Sequence, residues 1–254
     1  MSEPLRWEID GAVATVIIDR PAKRNAISFA MWSALPELMA QIQASPAKVV
    51  LIRGGEHFSA GADIGEFERL RSGARGAAEY SFAVHAGERA LADCPLPVVA
   101  AINGYCIGGG CEIALACDIR VAAADSKFGI TPANLGIVYH FTSTRQLVDA
   151  VGPAWAKQIL FAGELLDADT ALRIGLINER HADPDARAAE LAQRIASRAP
   201  RSVRGAKTII NRISGGQDAE DAGVRALYDT AHASADYSEG VRAFLEKRPP
   251  RFSG

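Results

Sequence analysis

The chain has 254 residues, 48% of them hydrophobic and 23% charged, which is enough apolar material for a core and excludes a mainly disordered protein. Lys plus Arg number 28 and Asp plus Glu 30, a net charge of −2, so there is no general positive field for coating nucleic acid, although a local basic site for a phosphorylated small molecule stays open. The first ten residues carry Glu3, Glu8 and Asp10 and no apolar run, and the uncharged stretch 94–111 is broken by Pro95, Pro97, Asn103 and four glycines. Neither reads as an export signal or a membrane span, so a cytoplasmic protein is expected.

In chain order, residues 5–9 and 13–18 are apolar and β-branched around Asp10-Gly11, which predicts a hairpin stopped by Pro21. Ser28 is placed to cap a helix running to about residue 43, with Phe29, Trp32, Leu35, Leu38, Met39 and Ile42 at helical spacing. The runs 49–52 and 97–102 are continuously apolar, and 119–123 is so but for Arg120, as strands covered on both faces are. A glycine-rich turn between the last two opens a short helix over 109–116. Beyond residue 142 the pattern is helical, over 142–151, 153–162, 168–174, 183–199, 202–213, 218–235 and 238–247, punctuated by Gly152, Gly163, Gly175 and Gly215. The break near Pro200 divides a mixed core, residues 1–199, from a helical segment, residues 200–254.

The four cysteines, at 94, 106, 111 and 117, form no CxxC pair and have no flanking histidines at zinc spacing, so they read as small buried hydrophobes. Arg194, Arg198, Arg201, Arg204, Lys207 and Arg212 follow one another with no acid between Glu190 and Asp218. Such a run reads as a solvated helix face or subunit contact, with phosphate binding as the alternative.

Two glycine turns each follow a strand and lead into a helical pattern: residues 59–64, Ser-Ala-Gly-Ala-Asp-Ile, and residues 104–112, Gly-Tyr-Cys-Ile-Gly-Gly-Gly-Cys-Glu. Glycine admits sharp turns and close backbone approach, and a helix start leaves amides unpaired. Two such turns facing each other would aim two N–H groups at one oxygen that gains charge, the physics of an oxyanion hole. Taken singly, either turn also fits tight strand–helix packing. A Walker A loop is excluded because Cys111-Glu112 follows Gly110, and no GxGxxG or GxSxG is present.

With these turns in view, the chain resembles the crotonase superfamily, also called the enoyl-CoA hydratase/isomerase family, over nearly its whole length. The matching segments are residues 19–26, 58–64, the turn at 104–112, Cys117-Asp118, Phe128-Gly129, Thr131-Pro132, 163–166, 171–178, 236–240 and 243–248. The resemblance implies an α/β fold, a spiral of ββα units with a C-terminal helical region that builds trimers, often paired as hexamers. It implies an oxyanion hole at the backbone N–H groups of Ala62 and Gly109, holding the thioester oxygen of an acyl-CoA as it becomes an enolate. Coenzyme A would enter as part of the substrate, with no separate cofactor, near Lys23, Arg24, Ala26, Ala60, Ala62, Asp63 and Ile64, and Phe244 and Lys247 would add contacts from the tail. An acyl pocket is expected over about 67–91, with Phe82, Val84 and His85 as candidates. Asp63 is also placed to cap the helix that follows it.

One departure matters. Hydratases of the family use two carboxylates; the first matches Glu112, but the position of the second is Ala133. The segment 131–139 is similar to the methylmalonyl-CoA decarboxylase branch, with Tyr139 matching a pocket tyrosine. Decarboxylation needs only a sink for the carbanion, so the expectation is a lyase acting on a malonyl-type CoA, with Tyr139 orienting the substrate and Glu112, water or His140 returning the proton. The alternatives are hydration or isomerisation by Glu112 alone, or a silent acyl-CoA binder. An RNA-binding role is disfavoured, since the helix at 28–43 carries no Lys or Arg.

Overall fold

The computed structural model describes residues 4–253. It begins with the expected hairpin, β1 (Leu5–Asp10) and β2 (Val13–Ile18), antiparallel with Asp10 opposite Val13 and Gly11 at φ 57° in the turn. A 3-10 turn at Pro21–Lys23 follows, then α1 (Phe29–Ala44), where Ser28 Oγ accepts from Met31 N at 3.3 Å as the predicted cap. Next come β3 (Val49–Arg53), a 3-10 turn at Ile64–Glu66, the single turn α2 (Phe67–Leu70), α3 (Gly73–Ala92), β4 (Val98–Ile102), β5 (Tyr105–Ile107), α4 (Gly109–Ala116), β6 (Ile119–Ala123) and β7 (Lys127–Gly129). After a 3-10 turn at Pro132–Leu135, α5 (Phe141–Ala162) leads to β8 (Leu166–Asp167), α6 (Ala168–Arg173), β9 (Glu179–His181), α7 (Pro184–Ala196), α8 (Pro200–Ser214), α9 (Ala222–His232) and α10 (Ala235–Leu245).

The main sheet has the order β1-β2-β3-β4-β6-β9, parallel from β2 onward, and β5-β7-β8 form a second sheet of three strands. The apolar runs of β3 and β4 follow from burial on both faces. Val50, Ile52, Val98, Ala100 and Ile102 pack into the larger core with residues of α1 and α3, while Val49, Leu51, Val99 and Ala101 meet Ala188 and Ala192 of α7. Alternate residues serve opposite faces because strand side chains alternate. Each fully buried aliphatic stabilises the fold by about 1.5–3 kcal/mol relative to exposure.

Several expectations need correction. The two helices read over 142–151 and 153–162 are not among these: they adjoin as the two arms of α5, parted at Gly152, whose φ of 74° and ψ of 163° are not helical. The helix read over 218–235 is shorter, because the Asp221 carboxylate accepts from Val224 N and starts it there. The strands β5, β7, β8 and β9 were not expected; each has two or three residues, too short for a period to register. All four cysteines are free and buried. In the basic stretch, Arg194 pairs with Glu190, Lys207 with Asp118 and Arg212 with Asp221, so these charges are taken up within the chain. Among the described residues, no helix is long and apolar enough to cross a membrane.

Candidate active site

The chain leaving β3 turns back and runs beside the segment entering α4. Phe58 N donates to Asn103 O at 2.8 Å, Ser59 N to Tyr105 O at 2.8 Å and Ile107 N to Ser59 O at 3.0 Å. On the far side, Ile27 N donates to Gly61 O at 2.7 Å and Asp63 N to Ile27 O at 2.9 Å. Ala62 is thus held between fixed neighbours, and neither its N–H nor that of Gly109 has an acceptor among the described residues. The two amides are close: a Cβ added to Gly109 would stand 3.5 Å from Ala62 N. Gly61 has φ 102°, and a Cβ there would come within 2.9 Å of Ile107 O, so only glycine lets the turns approach. Gly109 is the first residue of α4, where unpaired amides and the helix dipole favour negative charge.

A second set of bonds braces this frame. Asn25, itself at φ 59°, accepts from Arg20 N at 2.8 Å and donates to His57 O at 2.6 Å. The Arg20 guanidinium donates to Ala26 O at 2.6 Å and to Asp63 Oδ2 at 2.9 Å. Asp63 therefore does not cap the turn after it, as expected from sequence; its side chain is committed to Arg20, which holds its carboxyl below the usual range.

The paired amides open on a pocket of about 760 Å³ of empty space, its mouth included. Trp32, Phe67, Tyr80, Val84, Leu135 and Ile137 supply the apolar wall, and Arg71, Glu112, Tyr139 and His140 the polar groups. Glu112, in the first turn of α4, is 7% exposed, with Oε2 3.6 Å from where a Gly109 Cβ would lie. Its carboxyl is therefore beside the amides. Burial pushes it up to about 8, reinforced by the charge of Glu88 and opposed by the nearby Tyr139, Ser143 and Arg71. The Tyr139 phenol is pushed well above its ordinary value, first by burial and then by the Glu112 charge. Its hydroxyl is enclosed near Glu112 without a geometrically sound hydrogen bond. His140 is held low by burial, then by Arg71 and His85. The Arg71 guanidinium stacks 4.5 Å from the Phe67 ring centroid and 5.2 Å from that of Tyr80.

Ala60, Ala62, Ile64, Gly109, Glu112 and Tyr139 all line this pocket. Lys23 and Arg24 stand beside the 59–64 turn, with Lys23 Nζ 3.9 Å from Asp63 Oδ1 and Arg24 O accepting from Ala60 N at 2.9 Å; Ala26 is buried behind them. Phe244 is not brought to the pocket within one chain: it is 83% exposed and lines a separate groove with Tyr237 and Phe252. Lys247 follows α10 in that same region, at φ 54°. The expected stretch 67–91 does line the pocket, through Phe67, Arg71, Tyr80 and Val84; of its three named candidates only Val84 does so, since Phe82 is 74% exposed and His85 Nδ1 pairs with Thr142 Oγ1 at 3.1 Å. Ala133 is exposed and does not line the pocket.

Outside that stretch sequence reasoning missed Trp32 as a pocket residue, and it singled out neither the buried acid Glu88 nor its partner Ser143. Glu88 had a signal: Tyr80, Val84, Glu88 and Leu91 fall on one stripe of α3, where the 3.6-residue period calls for apolar side chains and Glu88 is an acid.

Residues 8–254 match the family described as enoyl-CoA hydratase/isomerase. Over 98% of both chains, this one is 35% identical to the crotonyl-CoA hydratase of Syntrophomonas wolfei. It is also 35% identical to the short-chain-enoyl-CoA hydratase of Clostridium acetobutylicum, over 95% of this chain and 94% of that one. Among solved structures, an enoyl-CoA hydratase/carnithine racemase from Magnetospirillum magneticum superposes with a TM-score of 0.95 at 37% identity, covering 100% of this chain and 96% of the other. The names of these relatives favour water addition over the decarboxylation that Ala133 and Tyr139 suggested.

Proposed function

The chain belongs to the enoyl-CoA hydratase/isomerase family, and on that footing we propose that it adds water to an enoyl-CoA thioester with a single carboxyl, Glu112, handling both protons. One observation carries this reading: Glu112 is the carboxyl that lines the pocket beside the paired amides, and burial keeps it protonated near neutral pH.

The thioester oxygen accepts from the N–H groups of Ala62 and Gly109. As water bonds to Cβ, the double-bond pair moves toward that oxygen and an enolate forms. Loss of one such donor typically costs about 3–4 kcal/mol of transition-state stabilisation. A neutral carboxyl serves both ends of the addition: its carbonyl oxygen takes the proton leaving water while its hydroxyl gives a proton to Cα, and it ends neutral. Lys23, Arg24 and the 60–64 turn are suited to the coenzyme A portion. Phe244 and Lys247 would come from a neighbouring copy, in a trimer or hexamer built through residues 200–254. The substrate brings its own coenzyme A, and this scheme calls for no further cofactor.

A second reading, loss of CO2 from a malonyl-type thioester, draws support from Ala133, which leaves no carboxyl facing Glu112 across the substrate. There the C–C bond breaks, its pair passes into the enolate, and Glu112 returns a proton to carbon. Incubation with crotonyl-CoA, a 3-enoyl-CoA and methylmalonyl-CoA, with products followed by mass, separates the readings. Water addition to crotonyl-CoA is expected, falling at least about 100-fold in Glu112→Gln with thioester binding kept. CO2 release without water addition would replace hydration by the second reading, and double-bond migration alone would make the chain an isomerase.

A further inference from the structure

Arg71 is the only arginine or lysine among the described residues that line the pocket, and the scheme above gives it no role. It sits in the bend between α2 and α3, half-buried, where its amide donates to Phe67 O at 2.8 Å. Its guanidinium lies over two rings of the same wall, 4.5 Å from the Phe67 centroid and 5.2 Å from that of Tyr80. Those rings meet edge to face with centroids 5.4 Å apart, so the guanidinium rests on a fixed aromatic platform. Stacking uses the flat faces of a guanidinium and leaves the N–H groups along its edge free. Among the described residues this side chain makes no hydrogen bond and no ion pair. The acid just before α2 is engaged elsewhere, since Glu66 Oε2 accepts from Phe29 N at 2.8 Å. Glu112, the one carboxyl among the lining residues, is kept protonated near neutral pH by its burial and does not offset the charge. Tyr80, 3% exposed, also has a hydroxyl without a partner, so neither polar group of this wall is satisfied within the chain.

The wall lies apart from the paired amides. Tyr80 and Gly87 are two turns apart along α3, about 10 Å. A Cβ at Gly87 would meet Trp32 Cε3 at 2.8 Å, and the other side of that indole, Cζ2, would lie 3.2 Å from a Cβ at Gly109. Arg71 therefore stands two turns along α3 from the level of the Gly109 amide.

We propose that the acyl group of the substrate carries a second carboxylate, at the end remote from the thioester, and that Arg71 selects it. The inference deepens the reading above and rests on it in seating the acyl chain between the paired amides and this wall. A guanidinium keeps its charge at any working pH, so an uncharged acyl chain would strip its water and return nothing. A carboxylate replaces that water with two parallel charge-assisted bonds to the fork. The rings orient the fork beforehand, so little side-chain freedom is lost on binding. The substrate class is a 2-enoyl thioester with a terminal carboxylate, which hydration converts to the 3-hydroxy thioester of the same diacid.

Saturated thioesters test this by binding, without turnover. In calorimetry, glutaryl-CoA should bind at least about tenfold tighter than pentanoyl-CoA, which has the same chain length and no second carboxylate. Arg71→Met should bring the ratio of the two affinities to within about twofold of one. A ratio near one in the unaltered protein overturns the proposal. So does an equal loss for both ligands in Arg71→Met, which would put Arg71 on the coenzyme A portion. Ethylmalonyl-CoA, the isomer of glutaryl-CoA with its carboxylate on Cα, reads the position: tighter binding of this isomer overturns the remote placement. If Arg71→Met does not fold, Arg71→Gln replaces it under the same criteria. A preference for glutaryl-CoA in a protein that hydrates neither crotonyl-CoA nor 4-carboxybut-2-enoyl-CoA supports Arg71 as the selecting residue and refutes the hydration reading. Hydration of crotonyl-CoA without the preference does the reverse.

Discussion

Glu88 is enclosed along α3 and Glu112 in the first turn of α4, so each gives up its hydration as the chain folds. Both have folded-state values raised above the ordinary 4.5, to about 7 and about 8. The stability tied to their protonation is therefore full below about pH 4.5 and is lost as pH climbs through 7 and 8. Asp63 runs the opposite way: Arg20 lowers its value from 3.8, so its contribution is present above that pH and lost as the solution is acidified further. The two windows do not overlap. Urea unfolding between about pH 5 and pH 8 should show stability falling with pH, and falling less steeply in Glu88→Gln. Equal slopes in the two proteins would mean that Glu88 ionises in the folded chain as it does in the unfolded one, with no raised value. At this scale the sequence was legible where chemistry sits in a turn: Glu112 stands at the end of a glycine run and Tyr139 near the end of a short motif. Arg71 reaches the site from the bend between α2 and α3, a placement that one chain's residue order does not express.

Among the elements, β6 and α4 have the bounds read from sequence, and α1 starts at its predicted cap, since long apolar runs and a capping serine act locally. What the sequence withheld was the pairing of short segments. Ser59 bridges to Cys106 and Ile27 to Ala62 through isolated main-chain contacts that no periodicity announces, yet these aim the two amides. The Arg20–Asp63 pair holds the same turn from outside the pocket, with both side chains largely enclosed. Asp63→Ala should lower stability to urea by about 2 kcal/mol, the usual worth of a hydrogen bond to a charged group. It should also reduce kcat/KM at least about tenfold as the turn relaxes, since oriented donors lose most of their effect when displaced. Lower stability with unchanged kcat/KM would assign the turn's geometry to the main-chain bonds alone.

For the whole molecule, the body and the last three helices differ in how they bury their residues. The sheet is covered on both faces, whereas Ile210 and Ile213 of α8 and Phe244 and Leu245 of α10 face solvent in a single chain. Lys207 ties α8 to the body through Leu96 O at 2.9 Å and Asp118 Oδ2 at 2.7 Å. An assembly through residues 200–254 would cover these side chains and bring Phe244 and Lys247 to a neighbour's pocket. Sedimentation equilibrium should accordingly return three or six times the mass of one chain; a monomer at micromolar concentration would remove the neighbour from the substrate site. The resemblance carried this expectation; the residue pattern alone gave helices over 202–213 and 238–247, with subunit contact as one reading of the basic run from Arg194 to Arg212.

The donors at Ala62 and Gly109 belong to the main chain, and that has a consequence for how the site changes over generations. Replacing either residue leaves the N–H in position unless the newcomer is proline or crowds the turn, so on the proposed reading the half of the site that would activate a thioester is inherited with the fold. On the proposed reading the half that moves protons is inherited one side chain at a time, and a single codon at position 112 would redirect it. A scaffold divided this way loses a reaction without losing its hold on the substrate, and so stays one substitution from another reaction.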